Sequence, residues 1–177
     1  MARSAADLKI INYPDPRLRK ACKRVEEFGP KLAELAENML GLMREAQGVG
    51  LAAPQVGMLQ RLFVCNVTGE AKDDMVLVNP ELFELEGDIE GEEGCLSIPD
   101  VTVTVHRADS CVLRGQNLKG KAVELHAEGL LARCFQHECD HLDGRLIIDA
   151  MSEADRIANR KVLRELERKH SRGAKAS

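Results

Sequence analysis

Aromatic residues are scarce in this sequence of 177 residues, which contains no Trp, one Tyr and four Phe. Proteins that bind single-stranded nucleic acids rely on aromatic rings on which the bases stack, so this scarcity argues against that class of function. The core must instead be built mainly from aliphatic side chains.

Long apolar runs are also missing from the sequence. No window approaches the roughly 18 consecutive apolar residues of a membrane-spanning helix, so we expect no association with a membrane. The N terminus lacks the apolar stretch of a secretory signal, which predicts a cytoplasmic protein. The six cysteines are then expected to be thiols or metal ligands, because disulfide frameworks belong to oxidising compartments.

Charges of both signs are present in similar numbers, but they are unevenly distributed. Residues 152–177 contain eight basic and four acidic side chains, whereas the whole chain carries a net charge of −4, so residues 1–151 carry −8. We predict a main domain over residues 1–151 and a basic C-terminal helix and tail over residues 152–177. Seven acidic side chains lie from Glu81 to Glu93, and we interpret them as a solvated strand-and-loop region rather than a cation site.

Hydrophobic periodicity predicts three helices and several short strands. Apolar residues recur at three- and four-residue spacing over residues 32–43 and again over residues 128–142, where Leu130 is among the candidate inward side chains. A last helix is predicted from Ser152, which forms an N-cap pattern with Asp155. Clusters of β-branched or apolar residues predict strands at residues 61–67, 75–78, 101–105 and 121–126. Strands in the middle, with one helix before and two after, favour an α+β fold.

The sequence HECDH at residues 137–141 is an HExxH motif within the second helical pattern. Positions i and i+4 of an α-helix lie one turn apart on the same face, so His137 and His141 can converge on one divalent metal ion. Glu138 flanks that position, where a carboxylate can accept a proton from water.

An open catalytic metal site has three protein ligands, so a third side chain is required. Cys95, in the sequence EGCLS, offers a thiol next to a glycine. Cys134 belongs to the apolar stripe of the helix, and Cys139 lies two residues from each histidine and points elsewhere. We therefore favour Cys95 as the third ligand.

The segment GVGLAAPQVG at residues 48–57 is rich in small residues, which allow a ligand to approach the backbone closely. Gln55 within it can donate an amide N–H to a developing oxyanion. The spacing does not match the glycine-rich loops that bind phosphate, and taken alone the segment is more typical of a structural turn.

These three segments, in this order and at these separations, resemble peptide deformylase. That family removes the formyl group from the initiator formyl-methionine of new bacterial and organellar proteins. The resemblance extends from residues 10–18 to the last helix. It implies an α+β fold in which the HExxH helix lies between antiparallel strands, with an N-terminal and a C-terminal helix, and it makes residues 1–151 the catalytic domain.

The resemblance also implies a role for individual residues. The implied metal ligands are Cys95, His137 and His141, the implied general base and acid is Glu138, and the implied oxyanion donors are Gln55 and the backbone N–H of Leu96. The implied contacts to substrate are Val49, Leu130 and Cys134 around the methionine side chain and the main chain of Gly50. Three positions depart from the family pattern: Thr102 replaces a substrate-binding Arg of many bacterial members, and Gly91 and Arg133 replace an aliphatic pocket wall.

Cofactor and partners follow from the same resemblance. It implies iron(II) as the working ion, with zinc, nickel or cobalt as substitutes, and N-formylmethionyl nascent chains as substrates. The basic helix from Ser152 resembles the one by which bacterial deformylases approach the ribosome, and RNA phosphates would attract it. A solvated helix, balanced by Glu165 and Glu167, is the alternative.

Two other functions remain open at this point. An HExxH metallopeptidase would need a distant Glu or His as the third ligand, and residues 142–145 after the motif contain no His in register. A metal-stabilised RNA-binding module would need a fourth protein ligand.

Overall fold

A computed structural model of the chain describes residues 8–173. The predictions for the N-terminal segment and for Lys175 of the basic tail concern residues outside this range. The helices are α1 (Pro30–Glu45), α2 (Gly129–Leu142) and α3 (Glu153–Gly173). The strands are β1 (Gly50–Ala52), β2 (Leu62–Cys65), β3 (Met75–Glu86), β4 (Ile89–Cys95), β5 (Ile98–Arg107), β6 (Ser110–Gln116) and β7 (Ala122–Glu128).

The described strands form two antiparallel sheets. One sheet has five strands in the order β1-β2-β3-β6-β7, and the other is the pair β4-β5. Helix α2 contacts β1, β2, β3, β6 and β7, and it buries Phe135 and Leu142 in a core shared with that sheet. The α+β fold with a central HExxH helix is therefore confirmed.

Helix α1 begins at Pro30, a residue favoured in the first turn because its missing N–H would have no partner there. Its buried residues pack against β1 and β2, as the spacing predicted. They are Leu32, Leu35, Ala36, Met39 and Met43.

Helix α3 begins after Ser152, whose hydroxyl accepts a hydrogen bond from the backbone N–H of Asp155 at 3.1 Å, as the N-cap pattern predicted. One side of α3 packs on β5, where Leu166 is buried and Asn159 Nδ2 donates to the carbonyl of Thr102 at 2.9 Å. Within residues 8–173, no helix has the length and apolar character needed to cross a membrane.

Strands β1 and β6 were not predicted, and β4 falls mostly within residues 81–93, which were predicted as strand and loop without bounds. Strand β3 extends eight residues beyond its predicted end, to Glu86. Strand β4 (IEGEEGC) has acidic residues and glycines in place of β-branched ones, so its own propensity is low. It is a strand because β5 supplies its hydrogen-bond partners from Ile98–Arg107.

Candidate active site

Two histidines of α2 and one cysteine of β4 converge on a single point. His137 and His141 lie one helical turn apart, and Cys95 is the last residue of β4. The candidate ligand atoms all lie within 4.8 Å of one another, and Cys95 Sγ is 3.3 Å from His141 Nε2. Among the residues that the structure describes, this is the one group of at least three His, Cys, Asp or Glu side chains with such convergence. Its third member is a thiol and not the Glu or His of the peptidase alternative.

Burial shapes the protonation of this group. It raises the pKa of the Cys95 thiol to about 12, and it lowers the pKa of His141 well below its ordinary value. His141 is therefore a neutral imidazole at neutral pH, which is the form that binds metals. The thiol ionises readily only when a cation lies beside it.

Glu93 holds His137 in a defined orientation. The Nδ1–H of His137 donates to Glu93 Oε2 at 2.9 Å, which leaves Nε2 free for a metal. Arg107 donates to both oxygens of Glu93, at 2.9 and 3.0 Å, and Arg133 Nη1 donates to Oε1 at 2.9 Å. A carboxylate has about four lone-pair sites, so Glu93 is fully hydrogen-bonded. Burial alone would raise the pKa of Glu93, but the hydrogen bonds from His137 and Arg107 hold it well below its usual range.

Glu93 corrects one interpretation drawn from the sequence. It is 6% exposed, so it does not belong to a solvated region, although the six other acidic residues of that run are exposed. A signal was available in the sequence: Glu93 is two residues from the candidate ligand Cys95, so on a strand both side chains point to the same face. The burial pattern of β4 agrees, with Gly91, Glu93 and Cys95 as its less exposed positions. Arg107, which forms a salt bridge with Glu93, had no comparable signal, because it lies opposite Ile89 in the register of β4 and β5 and reaches Glu93 only through its long side chain.

Glu138 is buried beside the three candidate ligands. It is 3% exposed, and its Oε2 atom has no hydrogen-bond partner among the described residues. Burial raises the pKa of Glu138 to about 8. Gly50 on β1 lies against it: a Cβ at Gly50 would lie 2.8 Å from Glu138 Cδ and 2.9 Å from Cys134 Sγ, closer than real Cβ contacts allow. The absence of a side chain at position 50 therefore makes room for the carboxylate.

Gln55 and Leu96 approach the same point from two other elements. Gln55 lies in a 3₁₀ turn, Ala53–Val56, and is 1% exposed. Its Oε1 accepts the backbone N–H of Ala52 at 2.8 Å, and its Nε2 lies 3.6 Å from Cys95 Sγ. Leu96 follows Cys95 directly, and its side chain occupies the space that a side chain at Gly48 would need.

A cavity of about 470 Å³ opens beside these groups. Val49, Gly50, Leu130 and Cys134, the residues implied to contact substrate, all line it. Leu130 is 54% exposed, so the prediction that it points into the core is wrong; it lies where the cavity meets solvent. The lining residues include three further ones named from the sequence: Leu96, Thr102 and Arg133.

An α+β fold in which an HExxH helix presents two histidines, a buried glutamate and a converging thiol defines a metal-dependent hydrolase. The family model described as polypeptide deformylase matches residues 7–157. The chain belongs to the peptide deformylase family, whose reaction removes the N-formyl group from the N-terminal methionine of newly made polypeptides and releases formate.

Individual relatives agree with this assignment. The chain is 46% identical to a peptide deformylase of Alkalilimnicola ehrlichii over 92% of this chain and 92% of that protein. It is 44% identical to one of Thermodesulfovibrio yellowstonii over 88% of this chain and 96% of that protein. The crystal structure of a peptide deformylase from Legionella pneumophila has a TM-score of 0.86 and 44% identity, covering 93% of this chain and 98% of that one.

Proposed function

We propose that the deformylation reaction takes place where Cys95, His137 and His141 converge, and that these three side chains hold one divalent metal ion per chain. The observation that carries the proposal is the convergence of their ligand atoms within 4.8 Å beside the unpartnered oxygen of Glu138. A buried carboxylate oxygen without a partner is costly unless a ligand, water or ion completes its environment. The histidines are suited to bind a metal ion. His141 is a neutral imidazole, and the hydrogen bond from the Nδ1–H of His137 to Glu93 leaves Nε2 of His137 free as a ligand atom.

Iron(II) is the ion proposed, with zinc, nickel or cobalt as substitutes. One thiolate and two imidazoles suit several of these metals, so the ligand set narrows the choice without deciding it. A divalent ion at this position supplies Lewis-acid polarisation of the formyl oxygen and lowers the pKa of a bound water.

Glu138 is proposed to carry the proton. Its Oε2 accepts the proton of the attacking water and then returns it to the amine nitrogen as formate leaves. Its burial suits this role, because Oε2 has no hydrogen-bond partner among the described residues and burial favours the protonated form that must exist between the two steps.

Gln55 and the backbone N–H of Leu96 are proposed to stabilise the oxyanion that forms at the formyl carbon. The hydrogen bond from Ala52 N–H fixes the amide of Gln55, so its Nε2 stays directed towards Cys95 without the cost of reorganisation. Such a donor stabilises the charged oxygen of the transition state more than the oxygen of the planar amide. It typically lowers the activation barrier by about 3 kcal/mol.

Val49, Leu130 and Cys134 are proposed to surround the methionine side chain, while the main chain of Gly50 binds the peptide backbone. All four residues line the cavity, and a Cβ at Gly50 would meet both Cys134 Sγ and Glu138. A formyl carbon carries only a hydrogen where an acetyl carbon carries a methyl group. A cavity wall in close contact with the formyl carbon therefore excludes an acetyl group by steric overlap.

The first experiment measures formate release from a formyl-Met tripeptide and from its acetyl counterpart. The chain is purified without oxygen, its metal is identified by elemental analysis, and parallel samples are loaded with nickel or zinc. We expect release from the formyl peptide alone and one iron per chain in the untreated sample. Release by a Cys95→Ala variant that binds no metal would contradict the proposed site. A peptidase would instead free amino acids, and a binding module would hydrolyse neither peptide.

We also propose that residues 152–177 act as a basic helix and tail through which the catalytic domain, residues 1–151, approaches the ribosome in the cytoplasm. The described basic side chains of α3 are all exposed, while α3 buries Asn159 and Leu166 against the domain. The exposed basic residues are Arg156, Arg160, Lys161, Arg164, Arg168, Lys169 and Arg172.

Charge reversal at three of these positions tests the proposal without disturbing the buried side of α3. The variant Arg160→Glu, Arg164→Glu, Arg168→Glu should lose most co-sedimentation with ribosomes, and the binding of the unchanged chain should weaken as salt rises. The control, Lys31→Glu, Lys119→Glu, Lys121→Glu, changes the net charge equally at exposed residues elsewhere. If both variants co-sediment with ribosomes equally, the basic residues of α3 do not mediate binding, and α3 is a solvated helix.

A further inference from the structure

Arg133 places a guanidinium group in the wall of the cavity. This cavity is the one proposed above to bind the first side chain of the substrate. Arg133 lies one helical turn before His137 on α2 and lines the cavity together with Leu130 and Cys134. The other side-chain contacts proposed there are apolar, so a guanidinium changes which side chains the cavity can accept.

Gly91 on β4 provides the space for this guanidinium. A Cβ at Gly91 would lie 2.9 Å from Nη2 and 3.0 Å from Cζ of Arg133, so any side chain at position 91 would displace the group. The two residues therefore fit each other: Gly91 on β4 has no side chain, and this leaves room for the long side chain of Arg133 on α2.

The guanidinium is held in place by three acceptors. Nη1 donates to Glu93 Oε1 at 2.9 Å and to the carbonyl of Val105 at 3.2 Å, and Nη2 donates to the carbonyl of Ile89 at 2.8 Å. The side chain is only 16% exposed, so it belongs to the cavity wall and not to the solvated surface.

Two N–H groups of Arg133 remain available to a ligand. A guanidinium has five N–H donors, and the three hydrogen bonds above use three of them. The Nε–H and the second hydrogen of Nη2 have no acceptor within residues 8–173. Methionine offers a thioether, which is a weak acceptor, whereas methionine sulfoxide offers a strongly polar oxygen at the same place on the chain.

We propose that the Arg133–Gly91 pair makes this enzyme active on N-formyl peptides whose first residue is methionine sulfoxide. The inference rests on the proposed function, because it assumes that the first side chain enters this cavity. The guanidinium donates to the sulfoxide oxygen and compensates for the desolvation that would otherwise exclude a polar side chain from the cavity.

The test compares kcat/KM for three formyl tripeptides that begin with methionine, methionine sulfoxide or norleucine. For the metal-loaded wild-type chain we expect the sulfoxide peptide to react within about tenfold of the methionine peptide. Arg133→Met keeps a long unbranched side chain without N–H donors. It should lower the sulfoxide-to-methionine ratio by about 10- to 100-fold, as expected for a lost hydrogen bond to a charged donor. The norleucine-to-methionine ratio should not change.

Ratios measured on one preparation cancel any loss of metal or of folded protein in the variant. Gly91→Ala provides a second test that keeps Arg133 but displaces its guanidinium, and it should also lower the sulfoxide ratio. Arg114→Met, at an exposed arginine on β6, is the matched control and should leave the ratio unchanged. The same ratio in wild type, Arg133→Met and Gly91→Ala would overturn the inference, as would a wild-type sulfoxide rate more than 100-fold below that of methionine. Failure to hydrolyse the methionine peptide would instead reject the proposed function.

Discussion

Formate release is expected to fall by about 10²–10⁴-fold in kcat when Glu138 is replaced by glutamine, the range typical of a lost general acid–base group. Glutamine matches the shape of glutamate but cannot accept the proton of the attacking water. Because Glu138 is buried, and burial raises its pKa to about 8, a neutral replacement removes no charge interaction on which folding depends. Metal content and the midpoint of thermal unfolding are therefore expected to stay at or above the wild-type values.

The matched control for this variant is Glu92→Gln. Glu92 lines the same cavity but is exposed, so its substitution should change kcat by less than about threefold. A Glu138→Gln enzyme that keeps its metal and retains wild-type kcat would show that another group carries the proton. Loss of metal in that variant would show that Glu138 supports the ligands.

Gly50→Ala is expected to reduce kcat/KM by about 10²-fold, the loss that follows when a catalytic group is displaced by roughly 1 Å. The added methyl group would overlap Glu138 Oε1 and lie 2.9 Å from Cys134 Sγ, so the carboxylate has to move away from its position beside the candidate ligands. Overpacking of this kind typically costs about 1–3 kcal/mol of stability, which urea denaturation would detect.

Gly41→Ala is the matched control for Gly50→Ala, because it adds the same methyl group at a position with open space. Gly41 lies within α1, and a Cβ there meets nothing within 4 Å. Because alanine favours a helix over glycine by about 1 kcal/mol, this control should be slightly more stable than the wild type and fully active. Wild-type activity in Gly50→Ala would mean that Glu138 adapts freely and that position 50 does not constrain the site.

The elements that could be predicted are those in which local sequence and tertiary environment agree. Helix α1 has apolar side chains at helical spacing, and α2 combines that spacing with the HExxH motif. Strands β2 and β5 are rich in β-branched or apolar residues, so their own propensity already favours an extended chain. Of the strands without predicted bounds, β1 and β4 contain glycines or acidic residues, so their own propensity is low and their pairing with β2 and β5 decides their conformation.

The sequence by itself determined which residue types carry the chemistry. The spacing of His137 and His141 follows from helix geometry alone, because 3.6 residues per turn place positions i and i+4 on one face. The N-cap at Ser152 and the helical spacing of α1 are likewise local properties, which need no knowledge of the rest of the fold.

Only the tertiary structure decided how the other groups meet those histidines. Arg107 lies on β5 opposite Ile89, and its side chain reaches Glu93 on the paired strand β4. Arg133 and His137 of α2 donate hydrogen bonds to the same carboxylate. These contacts could not be predicted from local sequence, for a physical reason. A buried carboxylate is stable only when several hydrogen-bond donors surround it, and the donors to Glu93 come from β5 and α2, which are separate in the chain. A charge that looks like part of a solvated acidic run therefore becomes the buried centre of the site.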